Sequence, residues 1–522
     1  MFHKMCATGA PARGKRPVLR AIAALVIFVS TAVAPARGLA TDATPLGSVA
    51  IDGSTVYSPA ELFATYRDRL GQPATRELAR AIAAAITELY RAGGYARPEM
   101  RLDQALMADG IMHISVFEPR ITRVTIEGTP GRYREQIELI AAGLRDAPPL
   151  RRDAIPQALA ELRQLPGLSV TATTRRDDAA PNAHELVLQA DFAPVTGLAR
   201  MNNRGTDQVG PLFLAGRVET NDLLGWGEEL GLVIAATTDT REYLGGALYL
   251  DQPLGDAGTR GMAMIFRSQS APNERPVNLS NEYARERLAY RVTRPVNRFI
   301  TVTGALEAEN LSVDRDGLEI RDDRLRVLEA GLRAGWRAGD ATQLSSVVEL
   351  RKGIDTLGAG LDADDLLEDP RSSNFLLAQL QATSFTRLNP SWTVRVDAFA
   401  QYSSDVLADS ERFKIGGERL GRGFEVAEIA GDHGLGGKLL LRRDLPVAET
   451  PVGRPSAYGF YDIGAAWKKD QPGRESAATL GAGVALQGAR LSAYAEIAKP
   501  LTHGDVEGKR SATLFAELSF RF

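Results

Sequence analysis

The sequence predicts two small α+β modules of β-α-α-β-β order, followed by a transmembrane antiparallel β-barrel of about 16 strands. Three observations predict it. A short strand ending in acid-Gly, Val49-Ala50-Ile51-Asp52-Gly53, returns 75 residues later as Val124-Thr125-Ile126-Glu127-Gly128. Helical periodicity stops near residue 193, and period-two alternation runs from there to the C-terminus. Among the 522 residues only one apolar run, Ala21 to Ala34, approaches the length of a spanning helix, so a helical membrane protein is excluded. With 44% apolar and 24% charged residues, the chain is also too aliphatic and too near neutral for disorder.

The N-terminus comes first. Residues 1–40 carry six basic side chains (Lys4, Arg13, Lys15, Arg16, Arg20, Arg37), no acidic ones, and the run Ala21 to Ala34 ahead of Gly38-Leu39-Ala40. This frame predicts a cleaved secretory signal peptide over 1–40. Taking its six bases from 62 leaves 56 against 65 acids, a mature net charge of −9, which argues against a nucleic-acid partner. The single cysteine, Cys6, leaves with the signal, so no disulfide, thiolate nucleophile or cysteine metal cluster is expected. Cys6 also precedes the apolar run, which disfavours a lipoprotein anchor.

The repeat sets the first module at 46–119 and the second at 120–192. After the first strand come helical patterns at Pro59 to Leu70 and Thr75 to Arg91, the second with Leu78, Ile82, Ile86 and Leu89 on one face. Gly93-Gly94 stops it, and strands follow at Arg97 to Leu106 and Gly110 to Phe117. The second copy keeps the order: strand 121–128, helices Glu135 to Leu144 and Asp153 to Leu165, strands Ser169 to Arg175 and Glu185 to Phe192. A generic α+β domain fits this pattern. A sharper reading is a pair of modules whose exposed sheet edges accept a strand from a partner.

The barrel is expected over 193–522. In Thr393, Arg395, Asp397, Phe399 and Gln401 one face is mainly polar, while Val394, Val396, Ala398, Ala400 and Tyr402 are apolar. A soluble sandwich shows the same alternation, and connection lengths separate the two. Short turns are expected at Asn297, Gly339-Asp340, Pro390-Ser391 and Gly488-Ala489, and long polar loops at Ser270 to Glu282, Ser312 to Asp323, Asp355 to Asn374 and Asp405 to His433. Short turns on one side and long loops on the other are the signature of an outer-membrane barrel. The last strand alternates Leu514, Ala516, Leu518, Phe520 and Phe522 against Phe515, Glu517, Ser519 and Arg521. Leu518, Phe520 and the terminal Phe522 read as a C-terminal barrel signal.

These residues resemble a family. Two POTRA-like modules before a sixteen-strand barrel resemble the two-partner secretion transporters of the Gram-negative outer membrane, of the hemolysin secretion/activation type. The likeness covers nearly the whole mature chain. Its most specific stretch is Glu411-Arg412-Phe413-Lys414-Ile415-Gly416-Gly417, then Arg422-Gly423-Phe424, then Ala430-Gly431-Asp432-His433-Gly434. That order is similar to the family's long sixth extracellular loop, here 405–433, which folds back into the lumen with an Arg-Gly-aromatic tip. Phe460-x-Asp462-x-Gly464 is similar to the matching wall element, and Asn221-Asp222-Leu223-Leu224-Gly225 and Ala498-Lys499-Pro500-Leu501 fit its turn and late-strand patterns. There are departures. Gly421 stands where the family commonly has Val, which implies a looser tip, and the short lead before the first module implies that the plug helix of some relatives is absent.

The pair has its own chemistry. In strand 456–468, Tyr458, Phe460, Asp462 and Gly464 share one face, and Tyr461, Ile463, Ala465 and Trp467 the lipid side. A lumen carboxylate at Asp462 calls for a donor, and Arg422 offers a bidentate one. Gly423 and Gly464 would allow close approach of loop and wall. Spacing alone favours Arg422 on a solvated loop and Asp462 as an ordinary lumen charge; the surrounding motif reverses that preference in favour of the pair.

Catalytic, cofactor and metal readings find little. His3, His113, His184, His433 and His503 are scattered singly. Gly434-Leu435-Gly436-Gly437-Lys438 lacks the Ser/Thr of a phosphate loop, because Leu439 follows. The acidic run Asp362, Asp364, Asp365, Glu368 and Asp369 lacks EF-hand spacing. No enzyme, cofactor, metal site or nucleic-acid partner is expected. The resemblance implies an outer-membrane pore with its modules in the periplasm. There they capture an unfolded exoprotein by strand addition and the barrel secretes it, after insertion into lipid by the barrel-assembly machinery. A barrel-assembly factor and, less favoured, a passive diffusion porin remain the alternatives.

Overall fold

The computed structural model describes residues 44–522, apart from 104–108, 146–148, 179, 207–208, 256–257, 273–277, 296–298, 364–369, 447–452 and 503–510. The expected signal peptide at 1–40, and Asp364, Asp365, Glu368 and Asp369, lie outside the described residues. The first module holds β1 (Ser48–Asp52), α1 (Pro59–Ala64), α2 (Arg76–Ala92), β2 (Glu99–Asp103) and β3 (Ile111–Phe117). Ser58 and Glu61 form a reciprocal cap that starts α1. Thr75 caps α2 by accepting from Leu78 N at 3.1 Å. The sheet order is β1-β3-β2, with β1 parallel to β3. Leu78, Ile82 and Ile86 of α2 pack on Met112, Ile114 and Val116, each burial contributing about 1.5–3 kcal/mol. Leu89, expected on this face, is only partly buried; Tyr90 takes the core position. Its hydroxyl donates to Glu118 Oε1 at 2.6 Å and contacts Ser54 Oγ at 2.8 Å. Burial, with Glu118 alongside, holds that phenol above the usual tyrosine range.

The second module repeats the plan: β4 (Arg120–Glu127), α3 (Arg134–Ala142), α4 (Ala154–Leu162), β5 (Leu168–Asp177) and β6 (Ala183–Phe192), in order β4-β6-β5. Ile137, Leu162, Val170, Leu186 and Leu188 form its core.

The barrel follows at once. Its strands are β7 (Val195–Asn202), β8 (Phe213–Asn221), β9 (Glu229–Thr237), β10 (Leu244–Pro253), β11 (Thr259–Ser270), β12 (Leu279–Pro295), β13 (Phe299–Arg315), β14 (Leu318–Ala338) and β15 (Thr342–Gly353). After a short β16 (Gly360–Ala363) come β17 (Leu376–Arg387) and β18 (Trp392–Ser403), then the small hairpin β19 (Phe413–Ile415) and β20 (Ile429–Gly431). Finally β21 (His433–Asp444), β22 (Arg454–Trp467), β23 (Glu475–Gln487), β24 (Leu491–Pro500) and β25 (Thr513–Arg521) complete the wall. Sixteen strands close it, β25 pairing with β7. Among the described residues, β16 pairs with β14 and β19 with β20. Parity does what alternation demands: Asp397 and Gln401 are buried inward, whereas Val396 and Tyr402 are exposed outward. Leu518, Phe520 and Phe522 lie on the outer face. Among the described residues no helix is long and apolar enough to cross a membrane.

Two expected loops differ. Ser312 to Asp323 is the end of a long hairpin, with β13 and β14 running 17 and 21 residues against about 10 for a bilayer crossing. Asp316 and Gly317, at φ 52° and 82°, close it as a two-residue turn. Beyond the membrane both faces of these strands meet water, so their sequence carries no apolar alternation and reads as loop. Asp355 to Asn374 includes β16, which extends the sheet along Arg321 to Arg324 of β14.

Candidate functional site

The segment between β18 and β21 enters the lumen, and its tip meets the wall. Arg422 donates to Asp462 through Nε (2.9 Å to Oδ2), Nη2 (2.7 Å to Oδ1) and its backbone N (3.2 Å to Oδ2). The Phe460 ring lies 3.4 Å from the guanidinium carbon, and Glu496 Oε2 is 3.6 Å from Nη1. Asp462 is fully buried, so this pair works in low dielectric with its geometry fixed by the wall. Parity places Phe460 and Asp462 inward together, and β22 pairs Asp462 directly opposite Lys438 of β21.

Glycines decide how closely the loop seats. A Cβ on Gly423 would lie 3.0 Å from Pro500 and Thr479, so the tip rests on β23 and β24. Pro500 belongs to the Ala498-Lys499-Pro500-Leu501 pattern. Gly464 approaches Ile415 and Leu420 of the loop, and not Arg422. Gly421 does not loosen the tip. Its φ of +83° forms a turn in which Phe424 N donates to Gly421 O at 2.9 Å, and a Cβ there would lie 2.9 Å from Ile415. Phe424 is buried with Phe399, Phe413, Ile415, Leu420 and Ile429, an apolar plug inside a polar lumen. Gly436 and Gly437, rejected as a phosphate loop, sit within β21.

The sequence reading missed the stem of this loop. Arg351 of β15 donates to Glu411 through Nε (2.9 Å) and Nη2 (2.7 Å), to Glu329 through Nη1 (2.8 Å), and to Glu307 (2.5 Å). Arg287 bridges Glu307 and Glu329, and Arg285 reaches Glu307 at 2.7 Å. Carboxylate oxygens of Glu307, Glu309 and Glu411 lie within 4.8 Å of one another. That is ligand spacing for a cation, but the three guanidiniums occupy the same space, so the set is an ion-pair network. Charges on alternate residues of β12 and β13 (Arg285, Arg287; Glu307, Glu309) were the available signal. Asp432, from the predicted Ala430 to Gly434 motif, closes the loop's base by accepting from Leu407 N and Lys469 N, each at 2.8 Å.

On the module side, the β8–β9 turn docks the second module. Glu228 accepts from Leu224 N (2.6 Å) and Trp226 N (3.1 Å), and Asp222 pairs with Arg132. Burial would raise the Glu228 carboxyl, yet these backbone donors outweigh it and hold it below the usual range.

Comparison with known proteins gives a consistent likeness. Residues 186–488 match the family model described as haemolysin secretion/activation protein ShlB/FhaC/HecB. The chain is 21% identical over 362 residues to the outer membrane transporter CdiB of Dickeya dadantii (strain 3937), an alignment covering 67% of this chain and 63% of that protein. Among solved structures, CdiB from Escherichia coli superposes with a TM-score of 0.71 at 20% identity, covering 94% of this chain and 93% of that one. CdiB from Acinetobacter baumannii gives 0.59 at 14% identity, covering 92% and 90%. The barrel therefore spans the outer membrane of a Gram-negative bacterium, with its N-terminal modules on the periplasmic side. A closed sixteen-strand barrel behind two β-α-α-β-β modules, matched by the family model over more than half its length, places this chain in the haemolysin secretion/activation family of outer-membrane two-partner secretion transporters.

Proposed function

We propose that the protein is a two-partner secretion pore that captures an unfolded exoprotein in the periplasm and passes it outward through the barrel. One observation carries the reading: a loop held across the lumen by Arg422 and Asp462 obstructs the barrel at rest, while among the described residues the modules that open onto it end in edge strands of three-stranded sheets. In the first module β1 and β2 are edge strands. A groove of about 660 Å³ runs between α2 and the start of β2, past Arg80, Ala83, Thr87, Arg97 and Met100. An extended segment added there gains main-chain hydrogen bonds without a fixed sequence, which suits an unfolded client. No ATP is available in the periplasm, so folding outside supplies direction. Leu518, Phe520 and Phe522 serve as the signal by which assembly machinery inserts the barrel. Deleting residues 46–192 should abolish export of the exoprotein client while leaving a folded barrel in the membrane. Export at the full rate would overturn the capture role.

A further inference from the structure

The loop is braced at two places. Its tip is held by β22 to β24, and its stem, through Glu411, by β12 to β15. On the wall alone, the stem site has three guanidiniums (Arg285, Arg287, Arg351) and three carboxylates (Glu307, Glu309, Glu329), a balanced set. Docking the loop adds Glu411, a fourth carboxylate, and Glu309 Oε2 is left buried without a hydrogen-bond donor. We propose that Arg351 and Glu411 form a second latch on the lumen loop, and that crowding by Glu309 sets this latch to release more readily than the tip. Arg351, Glu411 and Glu309 are positioning residues: they act on transport through where the loop sits. The charge-assisted bidentate contact with Arg351 holds the stem, and the Glu309 carboxylate, within 4.8 Å of Glu411, opposes it. The inference rests on reading the barrel as a loop-obstructed pore.

Two substitutions should move the loop in opposite directions. Glu411→Gln removes the latch and returns the cage to charge balance, so the wall has no reason to unfold. Glu309→Gln removes the crowding and keeps the latch. The background is Asp462→Asn, which weakens the tip enough to populate both loop positions. Spin labels at Val426→Cys in the loop and Leu388→Cys in the β17–β18 turn report the distance; the sequence's only native cysteine is Cys6, ahead of the described residues. Heat-modifiable migration on gels verifies a folded barrel for each variant. Expected are at least a tenfold rise in the undocked-to-docked ratio for Glu411→Gln and a severalfold fall for Glu309→Gln. An unchanged ratio for Glu411→Gln, or an unchanged or raised ratio for Glu309→Gln, would overturn the latch. Conductance in planar bilayers separates the two levels: distances that respond while every variant stays electrically silent would sink the pore reading and leave the latch standing.

Discussion

Replacing Arg422 with Met tests the tip contact most directly. The change removes the two side-chain hydrogen bonds to Asp462, leaving only the one from the backbone N, and takes the guanidinium away from two buried carboxylates, Asp462 and Glu496, of which Glu496 keeps Arg204. Breaking a buried pair from one side costs about 3–5 kcal/mol, which shifts the docked-to-undocked ratio roughly 100- to 4,000-fold. Asp462→Asn should cost less. Arg422 then keeps Glu496, whose attraction at 3.6 Å is roughly 4–5 kcal/mol at an effective dielectric near 20 before desolvation, together with the Phe460 ring. Swapping the charges, Arg422→Glu with Asp462→Arg, should rescue only in part. A carboxylate at 422 meets Glu496, and a guanidinium at 462 meets Lys438 across the β21–β22 pair. The assay is single-channel recording of purified protein in planar bilayers, with open probability as the readout. Arg422→Met should be open far more often than the parent, Asp462→Asn should lie between them, and the swap should lie nearer the parent than Arg422→Glu does. An open probability for Arg422→Met equal to the parent's, or complete rescue by the swap, would refute the argument.

Three further outcomes are expected. Phe522→Ala should weaken the seam, because the ring covers Gly197 while Gly197 N donates to Phe522 O at 2.9 Å; a loss of about 1–3 kcal/mol should lower the temperature at which the folded gel band disappears, and an unchanged temperature would contradict it. Ile82→Ala empties a fully buried position in the first module and should cost about 2–5 kcal/mol. In the intact chain this should appear as faster proteolysis within 46–119 with no change in barrel melting. Glu228 has a folded pKa below its unfolded value, so its contribution is present above the unfolded carboxylate range and fades as pH falls through the folded pKa. Glu228→Gln should therefore destabilise the β8–β9 turn at neutral pH and make little difference in strong acid. Equal effects at both pH values, by hydrogen exchange at Leu224 and Trp226, would exclude the assignment.

Much of the architecture was legible because it is written in short-range periodicities. Leu78, Ile82 and Ile86 mark α2 by helical spacing, and Asp397 against Val396 marks a wall strand by parity. Both patterns reflect a neighbour relation within a few residues. The long β13–β14 hairpin was not legible, since strands outside lipid need no apolar face; only Asp316-Gly317 hinted at its turn. The tip contact was legible through motif resemblance, not through spacing, because Arg422 and Asp462 are 40 residues apart. Gly421 was misread as slack because sequence does not display the sign of φ.

By itself, then, the sequence determined which residues face lipid and which face the lumen, that two like modules precede the barrel, and that an Arg-Gly-Phe tip has a carboxylate waiting on a wall strand. The tertiary structure decided where the loop lies across the lumen. Closure of β25 on β7 and the stagger of sixteen strands bring Arg351 of β15 to Glu411, and Glu496 of β24 to Arg422. The physical reason is range. Parity is fixed by the next residue, whereas the partner of a buried charge is fixed by barrel register, a sum over every strand between them.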